Sequence, residues 1–326
     1  MRYIVFGAGA IGGLVGGLMA EAGEDVVLIA RGAHADAIAR NGLTIESAER
    51  TAKIAVPVVT DPGAAEIQGD DTVLMAMKSQ DTVAALQALS VAAPEGVTVA
   101  CLQNGVENER WALRLFPAVY AVCVMCPATH LEPGVVVQGS APIPGLLDIG
   151  RYPAGTDAAT ARISAAVRTG GFESIERPDI MRWKHRKLLT NLANATQALL
   201  SGAGAGAVRK RAQAEGEACF EAAGIDYASA QEDEDRRGDL LRLREVQGQT
   251  RHGGSTWQSL ERGAGSVETD YLNGEVALLG RLHGVATPVN DLLQQLARQA
   301  ANQRDAPGAL SVDRFDELLK ERADGR

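Results

Sequence analysis

The 326-residue chain is poor in positive charge, with 32 lysines and arginines against 41 aspartates and glutamates and a formal net charge of −9. No run of lysine and arginine stands out, which argues against the basic patches of a nucleic-acid-binding surface. The chain also lacks any apolar run near the ~18 residues that mark a membrane span. The apolar N-terminus turns glycine-rich within a few residues, so neither a membrane partner nor a signal peptide is expected. Cysteine is scarce: Cys101, Cys123, Cys126 and Cys219. The Cys123-x-x-Cys126 pair has no second pair or zinc-spaced histidine, and Pro127 follows at once. It reads as buried thiols, no metal ligands are assigned, and a reducing cytoplasm is the expected compartment. The one dense charge run, Glu232 to Asp235 leading into Arg236 and Arg237, reads as a solvated helix start.

What is present is an ordinary globular balance, 46% hydrophobic and 22% charged, in a chain long enough for about two domains at ~150 residues each. The first half alternates short apolar runs with helical patterns. Tyr3–Phe6 and Asp25–Ala30 read as strands flanking a helix over Ile11–Ala22 that is rich in small residues. Thr72–Met77 and Val97–Leu102 follow as further strands, and Val135–Val137 and Leu146–Ile149 are candidates to close the sheet. Such alternation predicts βαβ units and a parallel sheet. In the second half Asp179–Leu200, Ala212–Ala223, Leu240–Arg244, Val267–His283 and Asn290–Asn302 read as helical. The boundary is placed at Arg168–Gly171, ahead of Pro178.

The residues Gly7-Ala8-Gly9-Ala10-Ile11-Gly12 form a G-x-G-x-x-G directly after a strand and at the head of a helix, the context a dinucleotide site requires. The first glycine permits a tight turn, the second lets the backbone approach a pyrophosphate, and the third lets the helix pack on the sheet. The helix N-terminus then offers free N–H groups and partial positive charge to phosphates. The similar Ser201–Gly206 run follows a helix, not a strand, and reads as a helix break or hinge. The second strand ends on Arg31, where an NAD-selecting site carries Asp or Glu for the ribose hydroxyl. A guanidinium pairs with a 2′-phosphate, so NADPH is the expected cofactor; Arg40 and Lys53 are further candidates for the same phosphate. The chain thus reads as α/β: an N-terminal Rossmann-type doubly wound sheet over residues 1–170, an all-α C-terminal domain over 171–305, and a C-terminal helix or tail over 306–326.

Four further segments, Met77-Lys78-Ser79-Gln80, Leu102-Gln103-Asn104-Gly105, Arg186–Asn191 and Glu268–Gly274, follow the N-terminal glycine loop in fixed order. Together they resemble the ketopantoate reductase (2-dehydropantoate 2-reductase) family over roughly residues 1–300. The resemblance implies NADPH-dependent reduction of ketopantoate to pantoate, a step towards pantothenate, in a cleft between two domains. It implies Lys187 as proton donor and Glu268 as the acid that orients the site near cofactor and substrate. Lys78 and Asn104 would lie beside the nicotinamide, with Asn104 also reaching the substrate. Asn191 and Ser255 match substrate-binding positions, and Thr129 with His130 matches a pair on a cofactor-side loop. The sequence departs from the family where a second amide is usual, at Ala195; Asn194, one step earlier, is the candidate replacement. One residue is inserted between Ser255 and Glu268.

The helix pattern points the same way by itself. Lys187, Asn191 at i+4 and Asn194 at i+7 fall on one stripe of an otherwise apolar helix, and asparagine is uncommon in helix interiors. An ammonium there suits a general acid opposite a developing oxyanion; a free lysine, with a pKa near ~10.4, starts protonated. Capping or core hydrogen bonding is the alternative for the asparagines. Two other readings stay open: reduction of another branched 2-oxo acid or an imine, and a non-catalytic NADP-sensing protein. The expected partner is a small 2-oxo acid, and the chain is expected as monomer or homodimer.

Overall fold

The computed structural model describes residues 1–248 and 253–324. Its strands are β1 (Arg2–Phe6), β2 (Asp25–Ile29), β3 (Leu43–Glu46), β4 (Thr51–Ile54), β5 (Val58–Val59), β6 (Thr72–Met75), β7 (Thr98–Cys101), β8 (Ala118–Met125), β9 (Ala128–Thr129), β10 (Val135–Gln138), β11 (Ser140–Pro142), β12 (Leu146–Arg151), β13 (Leu200–Ser201), β14 (Leu241–Leu243) and β15 (Leu310–Ser311). Its helices are α1 (Ala10–Glu21), α2 (Gly32–Asn41), α3 (Ser79–Ala92), α4 (Asn108–Leu113), α5 (Ala158–Thr169), α6 (Ile180–Asn191), α7 (Ala193–Leu199), α8 (Ala205–Ala223), α9 (Ala230–Arg237), α10 (Ser255–Glu261), α11 (Asn273–His283), α12 (Pro288–Gln303) and α13 (Val312–Asp324). The chain forms two compact units, Met1–Lys184 with Ser229–Arg251, and His185–Ala228 with His252–Arg326.

The first unit is an α/β layer built on a seven-stranded sheet of order β12-β8-β7-β6-β1-β2-β5. Neighbours are parallel except for β12, which lies antiparallel on β8. β1, β2, β6 and β7 are buried along nearly their whole length. They therefore read as unbroken apolar runs, not as alternating ones. The chain steps from β1 to β2 on one side and later to β6 on the other. This makes the C-terminal end of β1 a topological switch point, where open α/β sheets bind ligands.

Helix α1 lies between this sheet and a smaller one of order β4-β3-β10-β9. Its glycines explain how. A Cβ at Gly12 or Gly16 would fall 3.0 or 2.7 Å from Val5 or Leu28 of the large sheet, and one at Gly13 or Gly17 would fall 2.9 or 2.8 Å from Val136 or Ile45 of the small one. Both faces of the helix touch β-structure at backbone distance, so the small residues are a packing requirement.

Segment 229–248 returns to the first unit. Ser229 caps α9 through a reciprocal capping box with Glu232. Arg236 then forms a forked pair with buried Asp148 of β12, at 2.6 and 2.9 Å, and Arg177 adds a third bond to the same carboxylate at 3.2 Å. The helix start expected there is present, but it is not wholly solvated: Asp233 is buried and the Arg236 side chain is 8% exposed. Leu240–Arg244, read as helical, is instead the strand β14, antiparallel to β11. The apolar run at β10 belongs to the small sheet, while Leu146–Arg151 does close the large one.

The second unit is helical. Gly216 of α8 lets that helix approach α6 and α11 closely: a Cβ there would lie 2.7 Å from Leu189 and 3.4 Å from Val276. Pro288 opens α12, whose first N–H groups at Val289 and Asn290 donate to the Glu215 carboxylate at 2.9 and 3.0 Å. The Ser201–Gly206 run is a helix break: Gly202 and Gly204 have φ of +89° and +106°, and α8 starts just after. The C-terminal segment pairs β15 with β13 and continues into α13, with Phe315 fully buried; residues 325 and 326 lie outside the described chain.

Candidate active site

In the glycine loop each glycine answers a different requirement. Gly7 has φ +100°, and a Cβ on it would meet the Met77 nitrogen at 2.7 Å. Gly12 is closed on all sides, with the Gly7 carbonyl 2.2 Å from its ideal Cβ. Gly9 has nothing within 4 Å of that position. The chain is thus packed tight on either side of an open notch at the head of α1, whose N-cap makes no side-chain hydrogen bond. The first N–H groups of a helix lack intrahelical partners. A notch with free donors and a positive dipole end fits a pyrophosphate, so this chain's own residues suit a dinucleotide.

Arg31 ends the β2 connection as the N-cap of α2 and is exposed; it makes no ion pair with a described residue. Arg40, in the last turn of α2, and Lys53, on β4, are exposed as well. Three residues after Arg31, His34 ties three segments together. Its Nδ1 accepts the Gly134 N–H at 2.8 Å, so Nε2 carries the proton and donates to the Ala8 carbonyl at 2.7 Å. This neutral form agrees with burial pushing its pKa down. The His130 ring lies 4.1 Å from it, and His130 Nδ1 bonds the Val135 carbonyl at 3.0 Å. His34 is a site-shaping residue that sequence reasoning missed. Thr129 lies on β9, half-buried beside His130.

Lys78 and Asn104 follow the adjacent parallel strands β6 and β7, at the sheet end that carries the glycine loop. Both are half-buried. Their two loops are sewn together by buried groups. Asn108 donates to the Asn104 carbonyl at 2.8 Å and to Ser79 Oγ at 3.2 Å, and accepts from Thr82 Oγ1 at 2.9 Å. Gln103 Nε2 donates to Thr82 Oγ1 at 2.6 Å and to the Met77 carbonyl at 3.0 Å.

The second unit carries the other candidates. Lys187 is half-buried on α6, and Asn191 closes the same helix, 5% exposed. The chain breaks at Leu192 and restarts as α7, which brings Asn194 to Ser255 at the head of α10; Asn194 Nδ2 donates to Ser255 Oγ at 3.3 Å. Ala195 points into the core with no exposure. Asn191 Nδ2 is buried with no hydrogen-bond partner among the described residues, an amide donor still owed an acceptor. Glu268 is buried at the start of the 3-10 turn Glu268–Tyr271. Replacing Asn194 with alanine is expected to raise the substrate KM about five- to tenfold, the scale of one hydrogen bond, with little change in Tm. An unchanged KM would remove Asn194 from the site.

None of the four cysteines forms a disulfide; Cys101, Cys123 and Cys219 are buried, and Cys126 is half-buried. Among the described residues no helix is long and apolar enough to cross a membrane.

Known proteins match this arrangement along most of the chain. The family model described as ketopantoate reductase PanE/ApbA matches residues 3–153, and its C-terminal counterpart matches 179–301. A 2-dehydropantoate 2-reductase from Halobacterium salinarum is 31% identical, covering 94% of this chain and all of that protein. A solved PanE/ApbA family ketopantoate reductase from Ralstonia eutropha is 30% identical with a TM-score of 0.76, covering 93% of this chain and 99% of that one. A D-mandelate dehydrogenase solved with NADH and anilino(oxo)acetate has a TM-score of 0.79 over 93% of this chain and 99% of its own; at 21% identity it shares the fold. With both halves of the family pattern matched, the chain belongs to the ketopantoate reductase family of oxidoreductases.

Proposed function

We propose that this chain reduces ketopantoate to pantoate with NADPH, in the cytoplasm and as a step towards pantothenate. The observation that carries the reading is the unsatisfied buried amide of Asn191 on the helix of Lys187, beside the Asn194–Ser255 pair. Neutral donors on the segment that carries Lys187 suit a substrate with a carboxylate, a keto group and a hydroxyl. The names of the relatives, 2-dehydropantoate 2-reductase, support the same substrate.

When bound, the nicotinamide cofactor supplies the hydride. As negative charge grows on the substrate's carbonyl oxygen, the Lys187 ammonium stabilises it and donates the proton. Glu268 orients the Lys187 ammonium. Asn191, Asn194, Ser255 and Asn104 fix the substrate's polar ends, and Lys78 steadies the cofactor side. Arg31 and the head of α1 take the phosphates. Trp257, half-buried on α10, is the proposed apolar wall against the two methyl groups; Leu188 and Leu192 are fully buried and belong to the core.

Two experiments test this. Ketopantoate is expected to exceed 2-oxoisovalerate, which lacks the hydroxymethyl arm, by at least about tenfold in kcat/KM, because a site built to bond a hydroxyl leaves its own groups unpaired with the analogue. Equal turnover, or reduction of a bulkier 2-oxo acid alone, would favour another branched 2-oxo acid. The fully buried Ala195, in place of the usual amide, is the feature behind that second reading. For the cofactor, Arg31→Ala is expected to weaken NADPH binding about ten- to a hundredfold and leave NADH nearly unchanged. Equal loss for both would reject the 2′-phosphate contact.

A further inference from the structure

Three residues before Lys187 on α6 stands a second lysine, and it is sealed. Lys184 is 3% exposed; its Nζ donates to the Gln103 main-chain carbonyl at 3.0 Å and pairs with Glu109 of α4, which is wholly buried. Burial pushes the Glu109 carboxyl up, and the Lys184 charge opposes it. A buried ion pair is a poor device for stability, since desolving both charges cancels most of their attraction and apolar residues of the same volume do as well. What an apolar pair cannot do is hold a carbonyl. The carbonyl held here belongs to the residue before Asn104. The side chain of that same residue reaches the Met77 carbonyl, next to Lys78.

We infer that Lys184, supported by Glu109, is a positioning residue for the reduction: by clamping the Gln103 carbonyl it fixes the two loops that present Asn104 and Lys78. Four hydrogen bonds extend the clamp through Thr82, Asn108 and Ser79 to the Asn104 carbonyl itself. The Asn104 loop thus has its backbone held at two successive carbonyls. Misplacing a group by about an ångström costs on the order of a hundredfold in rate, so such a clamp acts on kcat. This inference rests on the roles proposed above for Asn104 and Lys78.

The test is the double variant Lys184→Met with Glu109→Met, which keeps the volume and removes both charges together. It is expected to retain a Tm within a few degrees of wild type, while kcat on ketopantoate falls about ten- to a hundredfold. A folded double variant with kcat within threefold of wild type overturns the proposal, as does a lower Tm with unchanged kcat per folded molecule. Should the methionine pair fail to fold, Lys184→Gln with Glu109→Gln substitutes amides of similar size, with a side chain at 184 too short for the Gln103 carbonyl; the same split is expected and the same result overturns it. Wild-type turnover on ketopantoate checks the underlying reading separately. If another 2-oxo acid proves to be the substrate, the split is read with that acid, and a wild type that reduces none overturns both.

Discussion

Replacing Lys187 with alanine is expected to lower kcat by about two to four orders of magnitude while NADPH still binds. The side chain stands half-buried on α6, one turn before the unsatisfied amide of Asn191. On the proposed mechanism, removing it takes away both the proton source and the positive charge facing the new oxyanion, and neither the Asn194 amide nor the Ser255 hydroxyl carries a charge to replace it. The loss should appear in kcat and kcat/KM together, since the contact strengthens only as charge develops. The neighbouring Lys184 cannot substitute, because its ammonium is engaged by Glu109 and the Gln103 carbonyl. Steady-state rates on the purified variant decide this. Near-normal turnover would mean that the chemistry lies elsewhere.

The second large effect separates two glycines three residues apart. Gly12→Ala puts a methyl where the Gly7 carbonyl stands 2.2 Å away and Ala76 Cβ 2.9 Å away. The helix must back off the sheet, at a cost of about 1–3 kcal/mol, and the loop that faces the phosphates opens. Stability and NADPH affinity should both fall, the affinity by about a hundredfold or more. Gly9→Ala meets nothing within 4 Å and its φ of −70° suits alanine. Stability should therefore hold within about 0.5 kcal/mol, while NADPH affinity drops about tenfold or more because the methyl occupies the notch. Calorimetry and cofactor titration on both variants check the pair. Unchanged affinity in Gly9→Ala would show that no phosphate approaches that backbone.

These two cases also mark what the sequence makes legible. The glycine loop can be read because it depends on neighbours within a few residues, where the strand-turn-helix order is explicit; the single helical stripe expected for Lys187, Asn191 and Asn194 is not kept, because α6 ends at Asn191 and Asn194 lies on α7. The supports of the site depend on distant partners. His34 meets Gly134 across 100 residues, Lys184 meets Glu109 across 75, and Arg236 meets Asp148 across 88. A lysine or arginine in a helix reads as exposed unless its counter-ion is known, and nothing local names that counter-ion. The strand β14 misleads for a related reason: Leu-Arg-Leu is too short to carry a period, and its pairing with β11 decides its form. The glycines of α1 show the middle case. Their number is plain in the sequence, but the second sheet they accommodate comes from β3 and β10, nearly a hundred residues apart in the chain.

The most direct test of the account follows the hydride. The wild-type protein is incubated with ketopantoate and NADPH deuterated at the transferring position of the nicotinamide, and the product is analysed by mass spectrometry. The account predicts pantoate carrying one deuterium at C2, formed in step with NADPH consumption and slowed by about two to four orders of magnitude in Lys187→Ala. NADPH that binds but is not consumed, or pantoate without deuterium, would contradict it.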